Sequence, residues 1–205
     1  MPRSIRASRG RWRFCSFHPV IVALVSLLVL LCPALQAQSA KPDTTRRGYS
    51  EADVRFMQGM IGHHAQALTM AALVPSRSGN ADLRLLAEKI EISQRDEIAT
   101  MRRWLRARGE ALPDSSGHEH QHELMPGMLT EAELEQLGSA RGSAFDRLFL
   151  TFMIRHHEGA LTMVARLVSS AGAVQEPEIA GFANDVNADQ RAEIRRMQAL
   201  LEHIP

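Results

Sequence analysis

The sequence predicts an all-α protein, one four-helix bundle made of two repeated antiparallel helical hairpins and preceded by an export leader. Three observations carry that prediction. A stretch with two adjacent histidines occurs twice, each copy lies on an apolar seam of helical spacing, and a second short motif recurs behind each copy.

The leader comes first. Residues 1–14 hold five arginines and no acid, and they run into the apolar stretch Val20 to Leu31 and then to the small residue Ala37. A basic start, a short apolar core and a small-residue cleavage position define a secretory signal peptide. The apolar run is short for a bilayer span, and Pro33 follows it at once. Cys32 follows the bulky Leu31, where a lipoprotein site requires a small residue. The expected organisation is therefore a signal peptide over 1–37, a linker over 38–49 and the bundle over 50–205, with the mature chain periplasmic or secreted. Leader removal leaves 19 basic residues against 23 acidic ones, a net charge of −4. That charge gives no electrostatic reason to expect nucleic acid, and no membrane insertion is expected once the leader is gone. Cys15 and Cys32 both leave with the leader, so any metal site must use His, Met, carboxylate or backbone groups.

The repeat organises the remainder. Residues 53–74 read DVRFMQGMIGHHAQALTMAALV and residues 146–167 read DRLFLTFMIRHHEGALTMVARL. Behind them, QRDEIATM from Gln94 answers QRAEIRRM from Gln190. The offset grows from 93 to 96 residues, which places the difference in the intervening turn. Ser50 with Asp53 has the pattern of a capping box, and Ser143 with Asp146 repeats it. Pro75 and the Ser-Arg-Ser-Gly-Asn stretch stop the first helix. Steps of three and four link Asp53, Phe56, Met60, His63, Ala67, Met70 and Val74 into one seam. On the second segment the seam runs Leu83, Ala87, Ile90, Gln94, Glu97, Met101 and Trp104, copied as Ile179, Ala183, Val186, Gln190, Glu193, Met197 and Leu200. Helices are expected over 50–74, 81–108, 143–169 and 178–203. One hairpin alone would leave a wide apolar stripe wet, whereas two can cover each other.

Polar residues interrupt these seams at matched heights. A turn near residue 78 sets His63 level with Gln94 and Met60 level with Glu97; a turn near 173 sets His156 level with Gln190. Adjacent histidines differ by about 100° on a helix, so one of each pair faces the centre and the other reaches toward a flanking helix. A lone buried His more often bonds Glu or Gln, and Met commonly fills cores. Here four His and two Glu fall in matched positions beside Met60, Met70, Met101, Met153, Met163 and Met197. Burying so many polar groups is costly unless each is satisfied, and a metal ion satisfies several together. The expected metal ligands are His63, His64, His156, His157, Met60, Met153, Met70, Met163, Glu97, Glu193, Met101 and Met197. Imidazole with thioether favours copper, with zinc second and iron also open. Two seam glutamates without a Glu-x-x-His motif on these helices disfavour ferroxidase chemistry.

Between the repeats (50–108 and 143–203), the segment 109–142 carries His118, His120, His122, Met125 and Met128 in a Pro/Gly/Ser-rich stretch. This composition suggests a secondary metal-capture segment, or simply a solvated loop. Thr130 and Glu133 cap a short helix expected near 131–138.

Phe56–Ala71, Phe149–Val164, the two QRxEIxxM stretches and Met125–Met128 together resemble the secreted bacterial domain-of-unknown-function family number 305. The resemblance covers residues 50–203 and departs from the pattern at Val164, where the family has alanine. It implies a ferritin-like four-helix bundle and points first to His63, His64, His156 and His157; some relatives are linked with copper binding and copper tolerance.

The leading expectation is an exported metal-binding protein for copper sequestration or delivery, with a metal ion as its partner and a homo-oligomer left open. The alternatives are a ferritin-like metal-dependent oxidoreductase, a non-covalent haem bundle, and a structural scaffold. An enzyme is the weaker expectation, because no nucleophile–base arrangement is visible. Adjacent histidines alone are a weak catalytic sign.

Overall fold

A computed structural model describes residues 48–113 and 124–205. The expected signal peptide and most of the linker after it lie outside the described residues, as do His118, His120 and His122. Among the described residues every regular element is a helix, with no strand: α1 Glu51–Ala71, α2 Val74–Arg77, α3 Ala81–Ala107, α4 Glu131–Ser139, α5 Gly142–Val168 and α6 Pro177–Leu201. None of these helices is long and apolar enough to cross a membrane.

Local chemistry sets most of the helix ends. Ser50 and Asp53 form a reciprocal capping box at α1, and Thr130 and Glu133 form another at α4. Asn80 caps α3 by accepting from the Asp82 and Leu83 amides. Pro177 opens α6, where a missing N–H costs nothing. Two expectations need correction. Pro75 does not simply end a helix; α1 closes at Ala71, and Pro75 sits in the first turn of the one-turn α2. Ser143 is not a cap either. The helix starts at Gly142, which takes φ +58°, so Ser143 is already helical, and Arg141 precedes the helix without a side-chain cap.

Two apolar clusters fill the interior, and each draws on all four long helices. One joins Ala67–Val74, Leu83–Ile90, Phe145–Met153 and the end of α6. The other joins Phe56–Ile61, Met101–Leu105, Ala160–Leu167 and Ile179–Val186. The first half of α1 thus meets the second half of α3, and α5 meets α6 in the same sense, so both pairs are antiparallel. Between the clusters lies a polar layer: His63, His64, Gln94, His156, His157, Gln190 and Glu193 are all buried, and Glu97 is nearly so. The apolar layers on either side stabilise the fold by roughly 25 cal/mol per Å² removed from water. The polar layer opposes them.

Candidate metal centre

Helices α1 and α5 supply the imidazoles; α3 and α6 supply the carboxylates and amides. His63 and His156 face each other across the α1/α5 contact, their ring centroids 3.8 Å apart and their planes at 37°. The second histidine of each pair turns away by about 100° and meets the other helix of its own hairpin. His64 Nε2 hydrogen-bonds the Glu97 carboxylate. His157 Nε2–H donates to Glu193 Oε2 at 2.7 Å, and Glu193 Oε1 accepts from Ser93 Oγ at 3.3 Å.

These contacts correct the levels read from equal rise. Glu97 meets His64, not Met60, and neither Gln94 Oε1 nor Gln190 Oε1 has a hydrogen-bond partner. Helical side chains lean toward their own N-terminus. In an antiparallel pair the two leans converge, so a residue on α1 meets one farther along α3 than its backbone level indicates.

Burial disfavours charge on His63, His64, His156 and Glu97. It lowers His63 to about 3, assisted by neighbouring His64 and opposed by the Pro126 carbonyl. It lowers His64 to about 3 as well, assisted by His157 and opposed by Glu193. His156 lies well below its ordinary 6.5 through burial and the adjacent His63, His157 and His64. Glu97 is pushed up to about 7 by burial and by Glu193, against the pull of His157. Asp189, on the same flank of α6, is raised by partial burial and by Glu97, Glu193 and Asp185, with Arg196 opposing.

A strap from the connection between the hairpins covers the α1/α5 groove. His63 Nε2–H donates to the Pro126 carbonyl at 3.0 Å. The Gln66 amide grips Leu129 at both ends, its Oε1 accepting from the Leu129 N–H at 2.7 Å and its Nε2–H₂ donating to the Leu129 carbonyl at 2.9 Å. Gly127 takes φ +77° and lies against Gly159, where any Cβ would run into the Pro126 carbonyl. Met125 lies over the bare faces of Gly59 and Gly62, and the Met163 methyl also lies against the Gly59 face. Gln66 escaped the sequence reading. Its one visible signal is a mismatch between the repeats, since Gly159 occupies its equivalent position.

The methionines divide between the apolar clusters. Met60, Met101, Met153 and Met197 lie about one turn from the polar layer, whereas Met70 and Met163 stand nearly two turns beyond it. Met125 and Met128 are half-buried in the strap.

The donor set passes a test for a soft metal and fails one for a hard or tetrahedral ion. Four imidazole nitrogens are buried without any hydrogen-bond partner: Nδ1 of His63, His64 and His157, and Nε2 of His156. Leaving such a group unmade costs about 1–3 kcal/mol each, which a coordinated ion would recover. Among the described residues, however, no three His, Asp or Glu side chains converge closely enough to form a closed site for a hard or tetrahedral ion. Pairs of nitrogens with thioethers nearby suit a soft ion of low coordination number.

The fold and its interior define an all-helical protein with a buried layer of histidines flanked by methionine. The chain belongs to the family described as Domain of unknown function (DUF305), whose model matches residues 53–201. It is similar to a DUF305 fragment from Deinococcus radiodurans at 34% identity and TM-score 0.67, covering 75% of this chain and 97% of that one. A DUF305 protein from Streptomyces coelicolor, designated a candidate secreted protein, is 29% identical at TM-score 0.65 and covers 74% and 91%. CopM in its Cu(II)-bound form is 28% identical at TM-score 0.61, covering 73% and 95%; its Cu(I)- and Ag-bound forms align at TM-scores of 0.58 and 0.57. In sequence the chain also matches uncharacterized protein L153 of Acanthamoeba polyphaga mimivirus, 26% identical over 81 residues. That match spans 40% of this chain and 47% of the viral protein.

Proposed function

We propose that this protein binds copper in an exported compartment, for sequestration or delivery, through His63, His64, His156 and His157. The single observation that carries the proposal is the set of four partnerless imidazole nitrogens in one buried layer. Imidazole binds a metal through an unprotonated nitrogen, and Met60 and Met153, one turn before each pair, add soft donors. Glu97 and Glu193 act behind His64 and His157 as the carboxylates that orient a ligating ring. CopM, solved with Cu(I), Cu(II) and Ag, supports copper as the bound ion.

The proposal includes a ferritin-like bundle with pseudo-two-fold related hairpins. The long connection from α3 to α5 supports it, because one crossover lets the second hairpin pack against the first. It also includes export by the leader with cleavage near Ala37, in line with the basic start and apolar run.

The test is elemental analysis of protein purified from its exported compartment, together with Cu(I) titration of the wild type and of a variant with all four histidines changed to alanine. Copper in the wild type and none in the variant is the expected outcome. A wild type that neither co-purifies with copper nor takes it up ends the proposal.

A further inference from the structure

We infer that the Met125–Leu129 strap, fixed by Gln66 and Gly159, is a positioning device that locks His63 as its Nε2–H tautomer and so presents Nδ1 to a metal ion. The inference rests on the copper reading for its purpose, but the tautomer belongs to the metal-free protein.

A carbonyl oxygen only accepts, so the 3.0 Å contact with Pro126 places the proton on His63 Nε2. Nδ1 is then a bare lone pair, and it is the His63 nitrogen left without a partner. For His156 the partnerless atom is Nε2 instead. The two stacked rings therefore offer different nitrogens, although their sequence repeats are the same at these positions. The strap sets the His63 side of that difference through the Pro126 carbonyl, whereas His156 is hydrogen-bonded to the His63 backbone.

Three contacts hold the Pro126 carbonyl in place. Gln66 bonds both backbone groups of Leu129, Gly127 takes a left-handed conformation that suits glycine, and Gly159 removes the Cβ that would displace Pro126. Gln66 and Gly159 occupy equivalent places in the two repeats, and their divergence creates a seat on one side only. Gln66 thus acts through Pro126 on His63. It is a positioning residue and need not touch the ion.

The experiment uses the full mature chain as wild type, Gln66→Ala, Gln66→Glu and Gly159→Ala. Long-range ¹H–¹⁵N correlation of the metal-free proteins reads each imidazole tautomer, and Ag(I) serves as the titrated probe. The wild type should show His63 protonated at Nε2. Gln66→Ala and Gly159→Ala should show mixed His63 tautomers while His157, held by Glu193, keeps Nε2–H as an internal reference of intact folding. Silver affinity should fall about 10- to 100-fold in both variants, the usual effect of losing an outer-shell partner. Gln66→Glu, which retains the acceptor for the Leu129 amide, should lose less.

A His63 tautomer unchanged in both variants overturns the inference. So does an altered tautomer with unchanged silver affinity, which would leave the copper reading standing. A wild type that binds no silver ends the copper reading, and the metal-free tautomers still decide whether the strap sets the His63 proton.

Discussion

His63 and His156 stack at 3.8 Å between ring centroids in a layer where neither ring carries charge at neutral pH. Two protonated imidazoles at that distance would repel strongly in a medium of low dielectric. The contact makes the fold acid-sensitive. His63, His64 and His156 have folded values far below the ordinary 6.5, so the unfolded chain binds more protons as the pH falls below about 6.5. Their stabilising contribution is complete above about pH 6.5 and is lost as the pH falls. Glu97 has the opposite sign: raised to about 7, it stabilises below its unfolded value of 4.5 and ceases to do so as the pH rises to 7. The three imidazoles outweigh the one carboxyl. Denaturant melts should show a stability loss on the order of 5 kcal/mol from pH 6.5 to pH 4. A flat profile over that range would show that the layer is charged or hydrated.

Replacing both stacked rings with leucine removes the acid sensitivity at its centre. His63→Leu with His156→Leu eliminates two partnerless buried nitrogens and extends the apolar clusters across the gap. The expected gain is about 1–3 kcal/mol in urea melts at pH 7, even though the Pro126 carbonyl loses its donor. Copper uptake should be lost at the same time, the trade expected when a site is retained for function. Gained stability with uptake intact would favour a register-setting scaffold.

Glu193 serves two donors from two helices, His157 and Ser93. Glu193→Ala should cost about 1–3 kcal/mol, because a buried N–H is left unpaired. Glu193→Gln keeps an acceptor and should cost less than half as much. Equal losses in the two variants would mean that the pair contributes volume and not a hydrogen bond.

Much of this interior was legible in the sequence because burial follows helical spacing. Every residue of the first seam, Asp53 to Val74, is buried, including His63. The partners of the polar groups were less legible. A level count cannot include the lean of two antiparallel side chains, which carries Glu97 to His64. The strap was not legible at all. Gln66 and Leu129 are 63 residues apart in the chain, and periodicity within a helix says nothing about what crosses its outer face. The resemblance of Ser143 and Asp146 to a cap misled for a local reason, since the helix already starts at Gly142 and Arg141 stands at the cap position.

That last difference yields a sharp prediction, because Asp53 and Asp146 are equivalent in sequence and unequal in structure. Asp53 is fully buried and accepts from the Ser50 amide at 2.7 Å, the Ser50 hydroxyl at 2.8 Å and the Val174 amide at 2.9 Å. It caps its own helix and also holds the turn of the other hairpin, where Val174 is kept at φ +52°, a left-handed conformation that a β-branched residue rarely adopts. Asp146 is buried as well, but its Oδ1 has no partner. Asp53→Ala should therefore remove a cap and release the strained turn, costing about 2–4 kcal/mol. Asp146→Ala removes an unsatisfied acceptor and should change stability by less than about 1 kcal/mol in either direction. Amide exchange should separate the two further, with Val174 losing protection in the first variant and keeping it in the second. Equal destabilisation by the two substitutions would mean that Asp146 holds a partner the structure does not show.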